Sequence, residues 1–405
     1  VSSRRFDVAV VGGGAVGAAL ALALDQAGFV VTLVEAHAPT GFDPARYDPR
    51  VYALAPASLA LLARLGVRDA LAGLRASPYS AMCVWQDEVE RGLSFDAGLI
   101  GEPSLGWIVE DAALRQVLWD ALDRSGVERR VPARVERFEP GANDVRLGLD
   151  AGTPIRASLA IAADGADSPL RMLAGLAVET APYGESGVVT HVTTATPHAA
   201  TAWQRFTAEG PLAFLPLADG RSSIVWSVRD ALARELLRLP EAEFSARVGA
   251  AFQHRLGEIE VAGDRLAFPL RLKLAPRWVG PRIALAGDAA HAVHPLAGQG
   301  LNLGLLDVGA LVATLIEARE GRGDLGAPAT LRAYERWRQG DALVAARGFD
   351  LIDGFFRSDV PGLSWLRGTG MALVDRLVPL KREFAWQASG FAGRVPPLCR
   401  RLASS

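Results

Sequence analysis

Cysteine is almost absent: the 405 residues hold two, Cys83 and Cys399. Two thiols build neither a disulfide framework nor a metal cluster, and a reducing compartment is the default. The cysteines and histidines fall at no metal-ligand spacing, so no metal is expected. Net charge is close to absent as well, at −2, which removes the electrostatic case for nucleic acid. Internal repeats and low-complexity tracts are missing. What remains is 50% hydrophobic and 22% charged, a soluble globular composition long enough for two substantial cores. A charge-free run from Val8 to Leu24 behind Arg4 and Arg5 imitates a secretory signal. Asp7 and the glycines inside the run argue against that, and cleavage would destroy the motif it contains, so the chain reads as cytoplasmic.

That motif is the first of three. FDVAVV (6–11) reads as a buried parallel strand, followed by Gly12, Gly14 and Gly17 in GxGxxG spacing, a helix rich in Ala and Leu, a second strand, and Glu35. Gly12 suits the tight turn, Gly14 lets a pyrophosphate approach with Ala15 and Val16 opening the helix, and Gly17 lets helix and strand pack closely. Glu35 is placed for ribose hydroxyls. Together they make a dinucleotide site that does not by itself separate one dinucleotide from another. Arg50, just ahead of a helix in DPRVYALAPASLALLARLGV, is a candidate phosphate or ribose contact. The second motif is DGADSPLR (164–171), at the end of a buried strand. Asp164 faces the crevice there, and Arg171 is placed to hold the loop's carboxylates.

The third, AGDAAHAVHPLAGQGLNLGLLD (286–307), follows the short strand Ile283–Leu285. Asp288 at the strand end can accept from ribose or ribityl hydroxyls. Gly298 and Gly300 permit a tight turn, and a helix opens at about Gly300, so free N–H groups near Leu301 and Asn302 favour negative charge. His294 and Pro295 are weak catalytic candidates; a loop histidine satisfied by its neighbours is the simpler reading.

GDAAHAVHPLAGQGLNLGLLD resembles the second flavin motif of the class A flavoprotein monooxygenases, the p-hydroxybenzoate hydroxylase type, and DGADSPLR resembles their DG motif. With GxGxxG the resemblance spans nearly the whole chain. DPRVYALAPASLALLARLGV, SPYSAMCVW, LAFLPLADGRSSIVWS and GDAAHAVHPLAGQGLNLG are similar to the UbiH/UbiF/VisC group of ubiquinone-biosynthesis hydroxylases. The resemblance implies FAD on Gly12, Gly14, Ala15, Val16, Gly17, Glu35, Arg50, Asp164, Asp288, Gly298, Gly300, Leu301 and Asn302. It also implies NAD(P)H as a transient reductant, in keeping with the lack of a second GxGxxG unit. The reaction implied is hydroxylation of a polyprenylated phenol with O2, through a C4a-hydroperoxide of the flavin. Many relatives carry Gln or Arg near position 111, where this chain has Asp111, so no flavin contact is assigned to it. A flavin dehydrogenase or oxidase, and a non-catalytic flavoprotein subunit of a biosynthetic complex, stay open as alternatives.

The expected fold is α/β: a Rossmann-like FAD-binding domain (1–76, 100–176, 275–346) interleaved with an antiparallel β-sheet substrate domain (77–99, 177–274), then a helical region (347–405). The sheet should roof the flavin, making His191, Phe214, Pro216 and Trp226 substrate candidates against ordinary sheet packing. The last fifty residues combine large apolar side chains with arginines and Lys381, one of only two lysines. A helix packed on the FAD domain is the first reading. A basic amphipathic surface for a membrane or a partner complex is the second, and it would be peripheral, with no uninterrupted apolar span to cross a bilayer.

Overall fold

The structure is a computed structural model and describes residues 5–292, 299–357 and 375–402. His294, Pro295 and Gly298 lie outside the described residues. Strand β1 (Arg5–Val11), helix α1 (Ala15–Gln26) and β2 (Val31–Val34) form the βαβ unit. FDVAVV does not alternate because β1 runs parallel between two strands, with both faces covered. Leu20, Leu22 and Leu24 of α1 are buried, worth about 1.5–3 kcal/mol each.

The chain then leaves for β3 (Val51–Leu54), α2 (Pro56–Arg64), α3 (Arg68–Ala72) and β4 (Ser77–Tyr79). The ribbon β5 (Ala81–Trp85) and β6 (Leu93–Asp96) joins a different sheet from its neighbours. β7 (Gly106–Glu110) returns to pair between β3 and β4 and leads into α4 (Asp111–Asp123). β8 (Glu128–Arg130) pairs parallel with β2, and the hairpin β9 (Val135–Pro140) and β10 (Val145–Leu149) lies against β11 (Ile155–Ala162). β10 covers only the start of β11. Its end, at Ala160–Ala162, runs parallel to β1 on one side and to a later strand on the other, so the following loop opens at the carboxyl edge of a parallel sheet.

After α5 (Pro169–Leu173), the 16-residue β12 (Glu179–Thr194) starts the second sheet with β13 (Thr201–Phe206), β14 (Pro211–Pro216) and β15 (Ser222–Arg229). Two helices follow, α6 (Asp230–Arg238) and α7 (Glu241–Ala251). α6 is short, but its Ala233 and Leu236 are buried against the sheet. β16 (Ile259–Val261) and β17 (Leu266–Leu274) complete the return; Pro269 is accommodated opposite Ser186. β18 (Val279–Gly280) and β19 (Ile283–Leu285) re-enter the first sheet, and β20 (His291–Ala292) pairs with β17. The strand orders are β18-β19-β11-β1-β2-β8 and β20-β17-β12-β15-β14-β13-β5-β6.

α8 (Gln299–Glu320) is the core helix of the first unit. By length and composition Gly300–Glu320 could cross a bilayer, yet most of it is buried in protein and it carries the buried Asp307. α9 (Pro328–Arg357) runs ten residues past the 347 boundary drawn from the sequence. The final described stretch, with α10 (Val378–Ala388), packs back on the first unit. Ala57 N–H donates to the Ser389 carbonyl at 3.0 Å, and the Arg64 guanidinium reaches the carbonyls of Leu398 and Arg400 at 3.1 and 2.7 Å. Cys399 lies buried against α8, a contact open only because Gly309 has no side chain: a Cβ there would stand 2.8 Å from Sγ. Burial pushes the Cys399 thiol up to about 12.

Candidate functional site: a crevice between two sheets

One cavity of about 1330 Å³ runs from the carboxyl edge of the parallel sheet to the face of the antiparallel one. At its far end the backbone makes the tight turn at Gly12, φ +104°; a Cβ there would sit 2.3 Å from the Ala163 carbonyl oxygen. At Gly17 a Cβ would lie 1.9 Å from Gly12 O, so this glycine lets α1 pack on the strand. Gly14 is different. It is exposed, with extended backbone, and a Cβ built on it meets nothing within 4 Å. The N-terminus of α1 has no side-chain cap, and Ala15 and Val16 border the open space. Uncapped N–H groups beside empty room are what a pyrophosphate needs.

Glu35 stands at the end of β2, its carboxylate accepting from Gly13 N–H at 2.5 Å and His37 N–H at 2.9 Å. Trp119, which the sequence reading passed over, donates its indole N–H to the Gly13 carbonyl at 2.9 Å and fixes the turn from α4. Asp164 lines the crevice and accepts from the Ser168 hydroxyl and Leu170 N–H. Burial raises its carboxyl, and those donors pull it back. Arg171 was expected on carboxylates. Instead it donates to two carbonyls, Ala166 O at 3.0 Å and Ala289 O at 2.8 Å, so it ties the second motif to the third.

In the third motif Asp288 opens into the cavity while protein surrounds it on the other sides, and the loss of bulk water raises its carboxyl. Gly300 and Leu301 at the start of α8 line the same space, and a Cβ on Gly300 would meet nothing within 4 Å. At Asn302 the expectation concerned the backbone N–H at the start of the helix. Its side chain turns away from the cavity, accepting from Ala55 N–H and the Ser58 hydroxyl and donating to Ala53 O, which clamps α8 onto the β3–α2 corner. Behind the loop sits a group that the motif contained but the sequence reading left without a role. Asp307, fully buried, bonds His291 Nε2 at 2.6 Å, Arg338 Nε at 2.9 Å and Gly287 N–H at 3.1 Å. Burial alone would raise this carboxyl; His291 and Arg338 outweigh it and hold it below its usual value.

The middle of the crevice is polar. Arg50 lines it, its guanidinium 5.3 Å from the Phe268 ring centre, and desolvation of that cation is outweighed by Tyr52, Asp111 and Asp48. Asp111 does not cap α4. It is the helix's first residue, its carboxylate paired with Arg115 at 3.1 Å and 3.4 Å from the Tyr52 hydroxyl, and burial raises it. Arg50, Tyr52 and Asp111 thus meet in one cluster, although no spacing rule in the sequence links them. Beyond it, buried Lys273 pairs with the exposed Asp167 of the second motif across the domain seam.

On the antiparallel sheet the cavity face carries Val189, Ala213, Leu215 and Val225, with Gly187 and Ser227 farther along. Phe214 and Trp226, expected toward substrate, are on the other face. Both are fully buried in the core under α6 and α7, and Phe214 stacks on Phe252 at 3.9 Å. Side chains alternate along a strand, so a one-residue step exchanges the faces. Pro216 shares the parity of Phe214 and does not line the cavity. His191 has the cavity-side parity but lies one step past the cavity, with Nε2 3.1 Å from Asp48 O and its ring edge against Tyr47. A sign of the true face is residue size: Gly187, Ala213 and Ser227 leave room, whereas the bulky aromatics fill a core.

A βαβ dinucleotide site closed by two further loops and roofed by an antiparallel sheet defines a flavoprotein. The chain belongs to the FAD binding domain family, which matches residues 5–345. It is 39% identical to the 3-demethoxyubiquinol 3-hydroxylase of Escherichia coli over 96% of this chain and 100% of that one. It is 36% identical to the ubiquinone hydroxylase UbiL of Rhodospirillum rubrum over 99% and 94%. Among solved structures, p-nitrophenol 4-monooxygenase PnpA from Pseudomonas putida superposes with a TM-score of 0.77 at 22% identity, covering 95% of this chain and 99% of that one. The protein is an FAD-dependent monooxygenase. Its own residues fit that cofactor: open space at Gly14, an uncapped helix, an acid at each end of the crevice, and a volume above that of an ordinary small-molecule pocket.

Proposed function

We propose that the protein hydroxylates the aromatic ring of a polyprenylated phenol or quinol in ubiquinone biosynthesis. One observation carries the reading: the sheet side of the cavity holds an apolar patch, Val189, Ala213, Leu215, Val225 and Phe268, in the same cavity as the dinucleotide crevice. FAD supplies the redox chemistry, passing oxygen from O2 to an electron-rich ring after reduction by NAD(P)H. The chain's residues do the rest. Gly12, Gly14, Ala15 and Val16 would hold the pyrophosphate, with Gly17 packing α1 onto the strand behind them, Glu35 the ribose, and Arg50, Asp164 and Asp288 the polar chain between. The start of α8 at Gly300 and Leu301 points N–H groups and the positive dipole end at negative charge developed on the ring system. The apolar walls keep water from the reacting atoms.

Turnover under isotopically labelled O2 with a prenylated phenol tests this. The expected product carries one heavy oxygen on the ring. Substrate oxidised without label marks a dehydrogenase or oxidase, and bound FAD with no substrate-stimulated oxidation marks a non-catalytic subunit.

We propose, too, that α10 touches the membrane where such a substrate resides. Leu377, Val378, Leu380 and Phe384 are exposed along it, beside exposed Arg376 and Arg382. Apolar side chains flanked by arginines suit an anionic lipid surface. Vesicles containing anionic lipid should sediment the protein, and Val378→Ser with Leu380→Ser and Phe384→Ser should weaken binding about tenfold or more. Equal binding by both proteins would sink the membrane contact. Because these side chains are exposed, the triple variant should keep its FAD.

A further inference from the structure

Strands β12 to β15 present two polar side chains to the cavity, Gln204 on β13 and Ser227 on β15. They are 6% and 4% exposed, and what remains open faces the cavity. Among the described residues neither the amide nor the hydroxyl has a protein hydrogen-bond partner. Arg171, Asn302 and Ser168, also buried beside the crevice, are each bonded to protein. Buried polar side chains are normally satisfied, and an amide with two donors and two acceptor sites is costly to leave bare. At a cavity wall such a group is free to meet a ligand, unlike the unpaired Ser222, Ser223 and Trp226 of the same sheet, which do not line the cavity.

The register gives the spacing. Gln204 stands opposite Ala213, Ala213 opposite Val225, and Val225 opposite Val189. Ser227, two residues on from Val225, stands opposite Gly187. Two strands across and two residues along puts their Cα atoms about 12 Å apart at ordinary sheet spacings. Ala213, on the strand between them, leaves the ground low, and hydrogen bonds of about 2.9 Å at each end bridge it to a flat ring. The cavity-lining side chains of β12 to β15 carry no charge, and the cations the sheet does bring to the cavity, Arg271 and Lys273, stand farther along β17 opposite Pro182 and Thr180, so this patch itself offers a carboxylate no ion partner.

We propose that Gln204 and Ser227 orient the substrate by hydrogen-bonding uncharged oxygen substituents at opposite ends of its ring, Gln204 taking the phenolic hydroxyl. The assignment rests on the reading of the protein as a phenol hydroxylase and names the groups that set which ring position meets the oxidant. Gln204→Leu keeps the bulk and removes the amide; Ser227→Ala removes the hydroxyl alone.

The probes are a monoprenylated methoxyphenol and its counterpart without the phenolic hydroxyl, titrated into FAD-loaded full-length protein and followed by the flavin absorbance. Wild type should prefer the phenol about five- to tenfold, the worth of one buried hydrogen bond. Gln204→Leu should abolish that preference while leaving the affinity for the deoxy counterpart within a factor of about two. A merely structural role would weaken both probes alike and leave their ratio unchanged, and that result overturns the assignment. Ser227→Ala should keep the phenol preference and weaken the methoxy-bearing ring relative to its demethoxy form; no change there overturns the role of Ser227. If wild type binds neither probe, the phenol hydroxylase reading fails together with this one. If wild type binds and hydroxylates the phenol but the ratio survives in Gln204→Leu, only the assignment fails.

Discussion

Asp307→Ala is expected to cost about 3–5 kcal/mol of folding stability, because it strands Arg338 in the core without its main counter-charge. Arg338 is 1% exposed and donates through Nε to Asp307 Oδ1, and the opposite carboxylate oxygen serves His291 and Gly287 N–H. The second partner, Asp341, is half in solvent and offers poor compensation. The Gly287 contact means that FAD affinity should fall along with stability, since Asp288 is the next residue. Urea unfolding of the apo and FAD-loaded forms measures both. A loss below about 1 kcal/mol would show that the triad is dispensable packing.

Gly14→Val should act in the opposite way, leaving the fold and removing the cofactor. The backbone at Gly14 is extended, φ −65° and ψ −179°, and a Cβ there meets nothing, so the apo protein has no clash to relieve. The branched side chain would stand where the pyrophosphate runs. FAD affinity should drop about 100-fold or more, about 2.7 kcal/mol, with an apo melting temperature near that of wild type. Gly17→Val is the control that should fail to fold, because its Cβ would collide with the Gly12 carbonyl. Purified yellow Gly14→Val protein with unchanged FAD affinity would remove Gly14 from the pyrophosphate path.

These contrasts show which parts of the site could be read from sequence. Gly12 and Gly17 were legible because backbone sterics permit little else at those positions, Gly14 because a pyrophosphate needs the space beside it, and Asp288 because it sits where a short strand ends. Parity on β14 and β15 was not legible. LAFLPL alternates between two apolar faces, and only the partner layer decides which is core, so Phe214 and Trp226 were placed on the wrong one. Arg171, Asn302 and Asp307 bond to backbone or to residues far away in the chain, and no local pattern encodes such a partner.

The crevice draws Gly12 from the first strand, Asp164 from the middle of the chain and Gly300 from the last core helix. β1 is completed by β11, some 150 residues later, and the end of β11 by β19, later still. Such long-range pairing is slow to form. During synthesis, then, the ribosome must release the chain beyond Leu301 before any dinucleotide site exists, and flavin cannot serve as a template for the early folding steps. Cofactor capture therefore belongs to the last stage of folding, after the segments from all three parts of the chain have met.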